Sequence, residues 1–155
     1  MKKFLFDTGT RDPLASYGVL FLRLSIGWMM LYGHGWGKIG KFDQLKAGWT
    51  VPGIFPLSLM SEPVSLMATI AAEVGAAVLL MLGLMTRPAA FVLGFAMVVA
   101  AFQVHAHDPY FALSGPSKEL ALLYLVPCVM LIITGGGQWS LDSQIPSDKR
   151  RRRLR

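Results

Sequence analysis

"LASYGVLFLRLSIGWMMLYG", residues 14–33, is a twenty-residue run with a single charge, Arg23. A hydrocarbon core about 30 Å thick is crossed by about 20 mostly apolar residues of helix, so this run predicts a membrane span. Three further segments repeat the pattern: "VSLMATIAAEVGAAVLLMLG" at 64–83, "PAAFVLGFAMVVAAFQVHA" at 88–106 and the slightly short "KELALLYLVPCVMLIIT" at 118–134. Pro13, Pro63 and Pro88 stand at helix starts, where a missing N–H is harmless. Asp12 and Ser117 suit N-caps, and the glycines at 135–137 suit a helix end. The fold class that follows is all-α, an integral membrane four-helix bundle in one domain spanning residues 1–155. Composition agrees. Hydrophobic residues make up 54% of the chain and charged residues 15%, where soluble domains carry about a quarter charged.

Directly after the first span, "GHGWGKIG" at 33–40 contains G-x-G-x-x-G at Gly35, Gly37 and Gly40, and Glu62 follows. A dinucleotide loop with that signature must follow a β-strand and open a helix. Here it follows a hydrophobic span, so it reads instead as a glycine-rich exit that releases the helix beside His34. The lone Cys128 excludes an intrachain disulfide or a C-x-x-C pair.

Topology follows from the basic residues. With four spans, Lys2, Lys3, Arg11, Arg87, Lys149, Arg150, Arg151, Arg152, Arg153 and Arg155 share one side, and Lys38, Lys41, Lys46 and Lys118 the other. The positive-inside rule then predicts a multi-pass protein of the plasma (inner) membrane with both termini cytoplasmic. The basic tail within 143–155 reads as a topology determinant touching anionic lipid, not as a nucleic-acid binder. No cleavable signal peptide is expected, because the first span is long and carries Arg23.

Charges inside spans are expensive and need a partner or a purpose. Arg23 and Glu73 are predicted at similar depth in consecutive helices, so an Arg23–Glu73 ion pair near the midplane is expected. It would either lock two helices together or form a polar centre for a ligand headgroup or protons. Ala71/Gly75 and Ala90/Gly94 are small-x-x-x-small steps suited to close helix contact. Pro127 is expected to free the carbonyl of Leu123, and Tyr124 to offer its hydroxyl to the interior. Arg23, Gly27, Met30 and His34 fall on one helical stripe. His105 and Glu62 reach a similar outer level, which gives a polar column of Arg23, Glu73, His34, Glu62 and His105. His107 reads as an interfacial residue. The histidines and methionines present no ligand set of diagnostic spacing, so neither metal nor haem is assigned.

The long outer loop, 34–63, contains Ile39, Phe42, Leu45 and Trp49 at helical spacing, with Lys38, Lys41, Asp43 and Lys46 turned away. That predicts a short interfacial amphipathic segment able to roof a cavity.

With these residues assembled, the sequence resembles the DoxX family of small bacterial and archaeal membrane proteins over roughly residues 16–142. The likeness rests on R-L-x-x-G…H-G-x-x-K (Arg23, Leu24, Gly27, His34, Gly35, Lys38), E-x-G…G-L-x-T-R (Glu73, Gly75, Gly83, Leu84, Thr86, Arg87) and His105. It ends on G-x-G-x-W-S-L-D (Gly135, Gly137, Trp139, Ser140, Leu141, Asp142). The resemblance implies a four-helix membrane protein linked to quinone redox chemistry, since the family's namesakes are membrane subunits that pass electrons from thiosulfate into the quinone pool. On that basis Arg23, His34, Glu73, His105 and Tyr124 are candidate ligand or quinone residues, with Arg23, Glu73 and His34 as candidate catalytic groups. No residue of the chain could do redox chemistry alone, so a cofactor or partner subunit is implied. The competing reading is a non-catalytic membrane scaffold that docks a partner protein; a small transporter ranks last because no inverted repeat is visible.

Overall fold

The computed structural model describes residues 9–10 and 12–145. Lys2, Lys3, Arg11 and the basic residues from Lys149 onward, which carry most of the expected charge asymmetry, lie outside the described residues. Those described are helical or irregular, with no strand among them. Four apolar helices form the bundle: α1 (Pro13–Gly40), α3 (Glu62–Leu82), α4 (Thr86–Val104) and α5 (Glu119–Thr134), and a single helical turn, α2 (Phe42–Leu45), lies between α1 and α3. The first three of the four are long and apolar enough to cross a membrane. Helix α5 has 16 residues, about 24 Å at 1.5 Å per residue, as its short sequence run anticipated. The bundle has a termini end, holding the α3–α4 turn, and a loop end, holding segments 41–61 and 105–118.

Local chemistry sets several boundaries. The Asp12 carboxylate accepts from the Ala15 amide at 3.0 Å, and Pro13 and Pro63 occupy the first turns of α1 and α3. Ser117 does not cap α5; Lys118 precedes it without a side-chain cap bond. Gly135 ends α5 at φ 74°.

Helix α1 does not stop at Gly33. It continues to Gly40 through a π-helical turn at Leu31–Gly35, so residues 34–40 are helix rather than loop. Glycine only weakens a helix by about 1 kcal/mol, which packing against α3 offsets. Of the glycines in the G-x-G-x-x-G run, a Cβ on Gly37 or Gly40 would meet nothing, whereas one on Gly35 would lie 2.6 Å from Val74 Cγ2. The glycine requirement is therefore one close helix approach. Gly27 makes a second against Ala77 and Met81, and Gly94 a third against Cys128 and Leu125. Ala90 and Gly94 thus pack as expected, but Ala71 and Gly75 are exposed, and Ala72 and Ala76 are buried in their place. Ala71 and Gly75 each stand two residues, about 200°, from the inward Glu73 and so fall on the outer face, while a second π turn, Ala71–Ala76, spans these positions. A third π turn, Ala100–Val104, ends α4.

Candidate functional site

The expected Arg23–Glu73 pair does not form. In an α-helix every side chain leans toward its own N-terminus. Helices α1 and α3 run antiparallel, so Arg23 leans to the termini end and Glu73 to the loop end, and the two diverge. Each finds another partner.

At the termini end Arg23 is fully buried. Its Nη2 donates to the Trp139 carbonyl at 2.6 Å and its Nη1 to the Leu80 carbonyl at 3.4 Å. The Asp142 carboxylate accepts from the Met85 amide (2.7 Å), the Thr86 amide (2.9 Å) and the Thr86 hydroxyl (2.8 Å), and the Asp142 amide donates to the Gly83 carbonyl. Met85, at φ 49°, offers no capping side chain, so the carboxylate that serves the start of α4 comes from 57 residues away. Gly83, at φ 68°, leaves room for the guanidinium; a Cβ there would overlap Arg23 Nη1. Arg23, Gly83, Thr86, Trp139 and Asp142 therefore form one polar lock that binds the chain after α5 to the α3–α4 turn. Arg23 is not part of the ligand column assigned to it from sequence.

Toward the loop end Glu73 forms an ion pair with Lys38. Lys38 leans down from the end of α1 while Glu73 leans up from the middle of α3. The expectation that Lys38 turns away with Lys41 and Lys46 is thus corrected. Because α1 continues, Lys38 stands one turn beyond His34 and two beyond Met30, on the inward stripe. That i, i+4, i+8 spacing was the available signal, and assuming a helix end at Gly33 concealed it.

The pair sits at a cavity of about 610 Å³, within the roughly 300–1,000 Å³ range of small-molecule sites. His34, Lys38, Glu73, His105 and Tyr124 all line it, among mostly apolar side chains. The His34 and Tyr124 rings meet edge to face at 5.5 Å. His105 Nδ1 lies 2.7 Å from Asp108 Oδ2, a contact that fixes the imidazole; sequence reading did not single out Asp108. Lys118 Nζ donates to the Ala106 and Asp108 carbonyls at 2.9 and 3.0 Å, which holds the 105–108 turn together. His107 is exposed. The three π turns all border this cavity: they carry His34 and Glu73 and immediately precede His105. Such turns insert an extra residue that re-aims side chains, and they recur at functional sites.

Residues of the 49–60 segment roof the cavity. Trp49 Nε1 donates to Thr69 Oγ1 (3.3 Å), Ser65 Oγ to the Thr50 carbonyl (2.7 Å) and the Gly53 amide to Gln103 Oε1 (3.0 Å). Glu62 does not join the polar column; its carboxylate accepts from the Gly48 amide at 2.7 Å and anchors the start of this roof. On the neighbouring turn, Lys46 Nζ donates to Asp43 Oδ1 at 2.7 Å and holds that exposed carboxyl below its ordinary range. Among the described residues no three His, Cys, Asp or Glu side chains gather as a metal-ligand set.

A family model described as DoxX matches residues 18–106. An uncharacterized protein of Haemophilus influenzae is 31% identical over 131 residues, covering 83% of this chain and 90% of its own length. A second uncharacterized protein of the same organism is 32% identical over 91 residues, covering 59% of this chain and 60% of its own length. No solved structure gives a significant match. The matched family region contains Arg23, His34, Lys38, Glu73 and His105 and ends before the lock's Trp139 and Asp142.

Proposed function

Because the chain belongs to the DoxX family of membrane proteins, and because a part-buried ion pair lines a largely apolar cavity inside its bundle, we propose that it is a quinone-interacting subunit of a membrane redox complex. The carrying observation is Lys38–Glu73 at that cavity, on the wall formed by π turns. The residues fit a quinone head. Lys38 offers an ammonium, Tyr124 a hydroxyl and the histidines ring N–H groups, matching two carbonyl acceptors on a flat ring, while the apolar lining suits the ring faces. A quinone would supply the two-electron, two-proton chemistry that these side chains lack. Glu73 and His105 can hold a proton near the ligand oxygens, Asp108 orients His105, and the roof excludes water. Cys128 is single and buried, so electrons must arrive from a partner with its own redox group.

The test uses gently purified protein in which Trp49, at the cavity wall, is the sole tryptophan (Trp28→Phe, Trp36→Phe, Trp139→Phe). A short-tailed benzoquinone is expected to quench Trp49 saturably, and Tyr124→Phe with His34→Phe to weaken binding by about ten-fold or more, near 1.4 kcal/mol. The absence both of saturable quenching and of quinone in the lipid extract would sink the reading. The scaffold reading is favoured by the role of Arg23, which ties the chain after α5 to α3 and does not line this cavity. It requires wild-type function in variants whose cavity is neutral.

We further assign the termini end to the cytoplasmic face of a bacterial or archaeal plasma membrane, from the basic residue count. An alkaline phosphatase fused after residue 155 should then stay inactive while a matched fluorescent-protein fusion is bright. The reverse pattern overturns the orientation.

A further inference from the structure

Helices α3 and α4 pack closely along the Ala71–Leu82 half of α3, whereas its first half, Glu62–Ile70, stands off α4. The two diverge toward the loop end, and the cavity fills the gap. One wall is Ala68, Thr69 and Ala72; the other is the α4 stripe Val92, Ala96 and Val99, flanked by Phe91 and Phe95. The gap opens between Ala68, Thr69 and Ala72 on α3 and Ala96 and Val99 on α4, and the α4 lining continues about 10 Å from Val99 back to Val92 at 1.5 Å per residue. It is apolar from Val92 to Val99, and its polar groups are gathered at the loop end.

Two neighbouring seams are closed. The α4–α5 seam is tight where Gly94 meets Cys128 and Leu125, and the α1–α3 seam where Gly35 meets Val74. At the loop end the hydrogen bonds of Thr50, Gly53 and Trp49 to Ser65, Gln103 and Thr69 tie the roof across both edges of the gap. Along the gap, in contrast, Phe91 and Val92 line the cavity and are also 62% and 46% exposed. In a bilayer those outer surfaces face acyl chains. The Phe91 and Phe95 rings stack at 6.5 Å and form an aromatic sill beside the opening.

We propose that the α3–α4 gap is a lateral portal, through which a ligand dissolved in the bilayer reaches the cavity and in which its single long apolar tail remains. This rests on the quinone reading of the head site and adds to it the ligand's route and shape: one polar head at Lys38–Glu73 and one unbranched or isoprenoid-like tail along Val92–Val99. Small side chains on α3 leave the lane open. A two-tailed phospholipid does not fit a single lane, and a tail-less soluble compound has no use for it.

The test compares two benzoquinones with one head, tail-less and decyl-tailed, using Trp49 quenching in vesicles. Ala68 is exposed, so Ala68→Phe plugs the lane without overpacking a core; Ala96→Phe plugs it from α4. Either plug is expected to weaken the tailed quinone by about ten-fold while changing the tail-less one by less than about two-fold, a difference of about 1 kcal/mol or more. Equal loss for both ligands, or no loss for either, overturns the portal. A second arm does not depend on quinone: a fatty acid brominated along its chain should quench Trp49 in the unplugged protein and less in Ala68→Phe. If neither quinone binds but this difference persists, the head assignment falls and the portal stands. If the difference is absent, the portal falls whatever the quinones do.

Discussion

Lys38→Met is expected to destabilise the bundle by about 3–5 kcal/mol, because it leaves the Glu73 carboxylate buried without its cation. Glu73→Leu alone should cost less, because the Lys38 side chain is 21% exposed and can carry its ammonium to water. The double variant Lys38→Met/Glu73→Leu removes both charges and should recover most of the stability, since apolar replacement of a buried pair is often neutral. Function separates the readings. If the pair contacts a quinone head, the double variant is stable but binds the short-tailed quinone at least about ten-fold more weakly, or 1.4 kcal/mol. If the pair only locks helices, stability and binding recover together, and the quinone proposal loses its main support. Thermal unfolding can be followed with a thiol-reactive dye, because Cys128 is the single cysteine and is buried between α4 and α5.

Asp142→Ala is expected to lower stability comparably, by about 3–5 kcal/mol, since two amides and one hydroxyl lose their acceptor and Arg23 loses its nearby countercharge. In a domain of this size that corresponds to a fall in Tm of roughly 10 °C. Asp142→Asn, which keeps an oxygen toward the start of α4, should fall less. Quinone binding by the folded fraction should be unchanged, because the lock and the cavity lie at opposite ends of the bundle. A Tm within about 2 °C of wild type would mean that the lock is not a stabilising element.

These two sites explain how far the residues could be read in advance. His34, Glu73, His105 and Tyr124 were found because ionisable and hydroxyl groups in apolar spans are rare and costly, and all four line the cavity. Arg23 stands out for the same reason, but its depth alone points to the wrong partner. Helix depth counts Cα atoms, but a guanidinium reaches several ångströms along the axis, and in antiparallel helices the direction of reach reverses. Lys38 does not stand out in the sequence because the glycines around it resemble a helix end, whereas the helix continues to Gly40. Asp108 and Asp142 were missed as partners because they lie in irregular segments where no period predicts a neighbour. The π turns carry no distinctive sequence pattern, and the packed face of α3 holds Ala72 and Ala76 rather than Ala71 and Gly75.

The sequence by itself determined that the chain is an all-helical membrane protein of the DoxX family with charges inside its spans. Apolar length, helix punctuation and ordered motifs are local properties that survive without coordinates. Only the tertiary structure decided how those charges divide, Arg23 into a lock with the Asp142 segment and Glu73 into a cavity with Lys38. It alone also gave the gap between α3 and α4. The physical reason is that pairing in a membrane bundle depends on the direction of side-chain reach, on helix register altered by π turns, and on where helices diverge. Each of these arises when two segments meet, and neither segment encodes it alone.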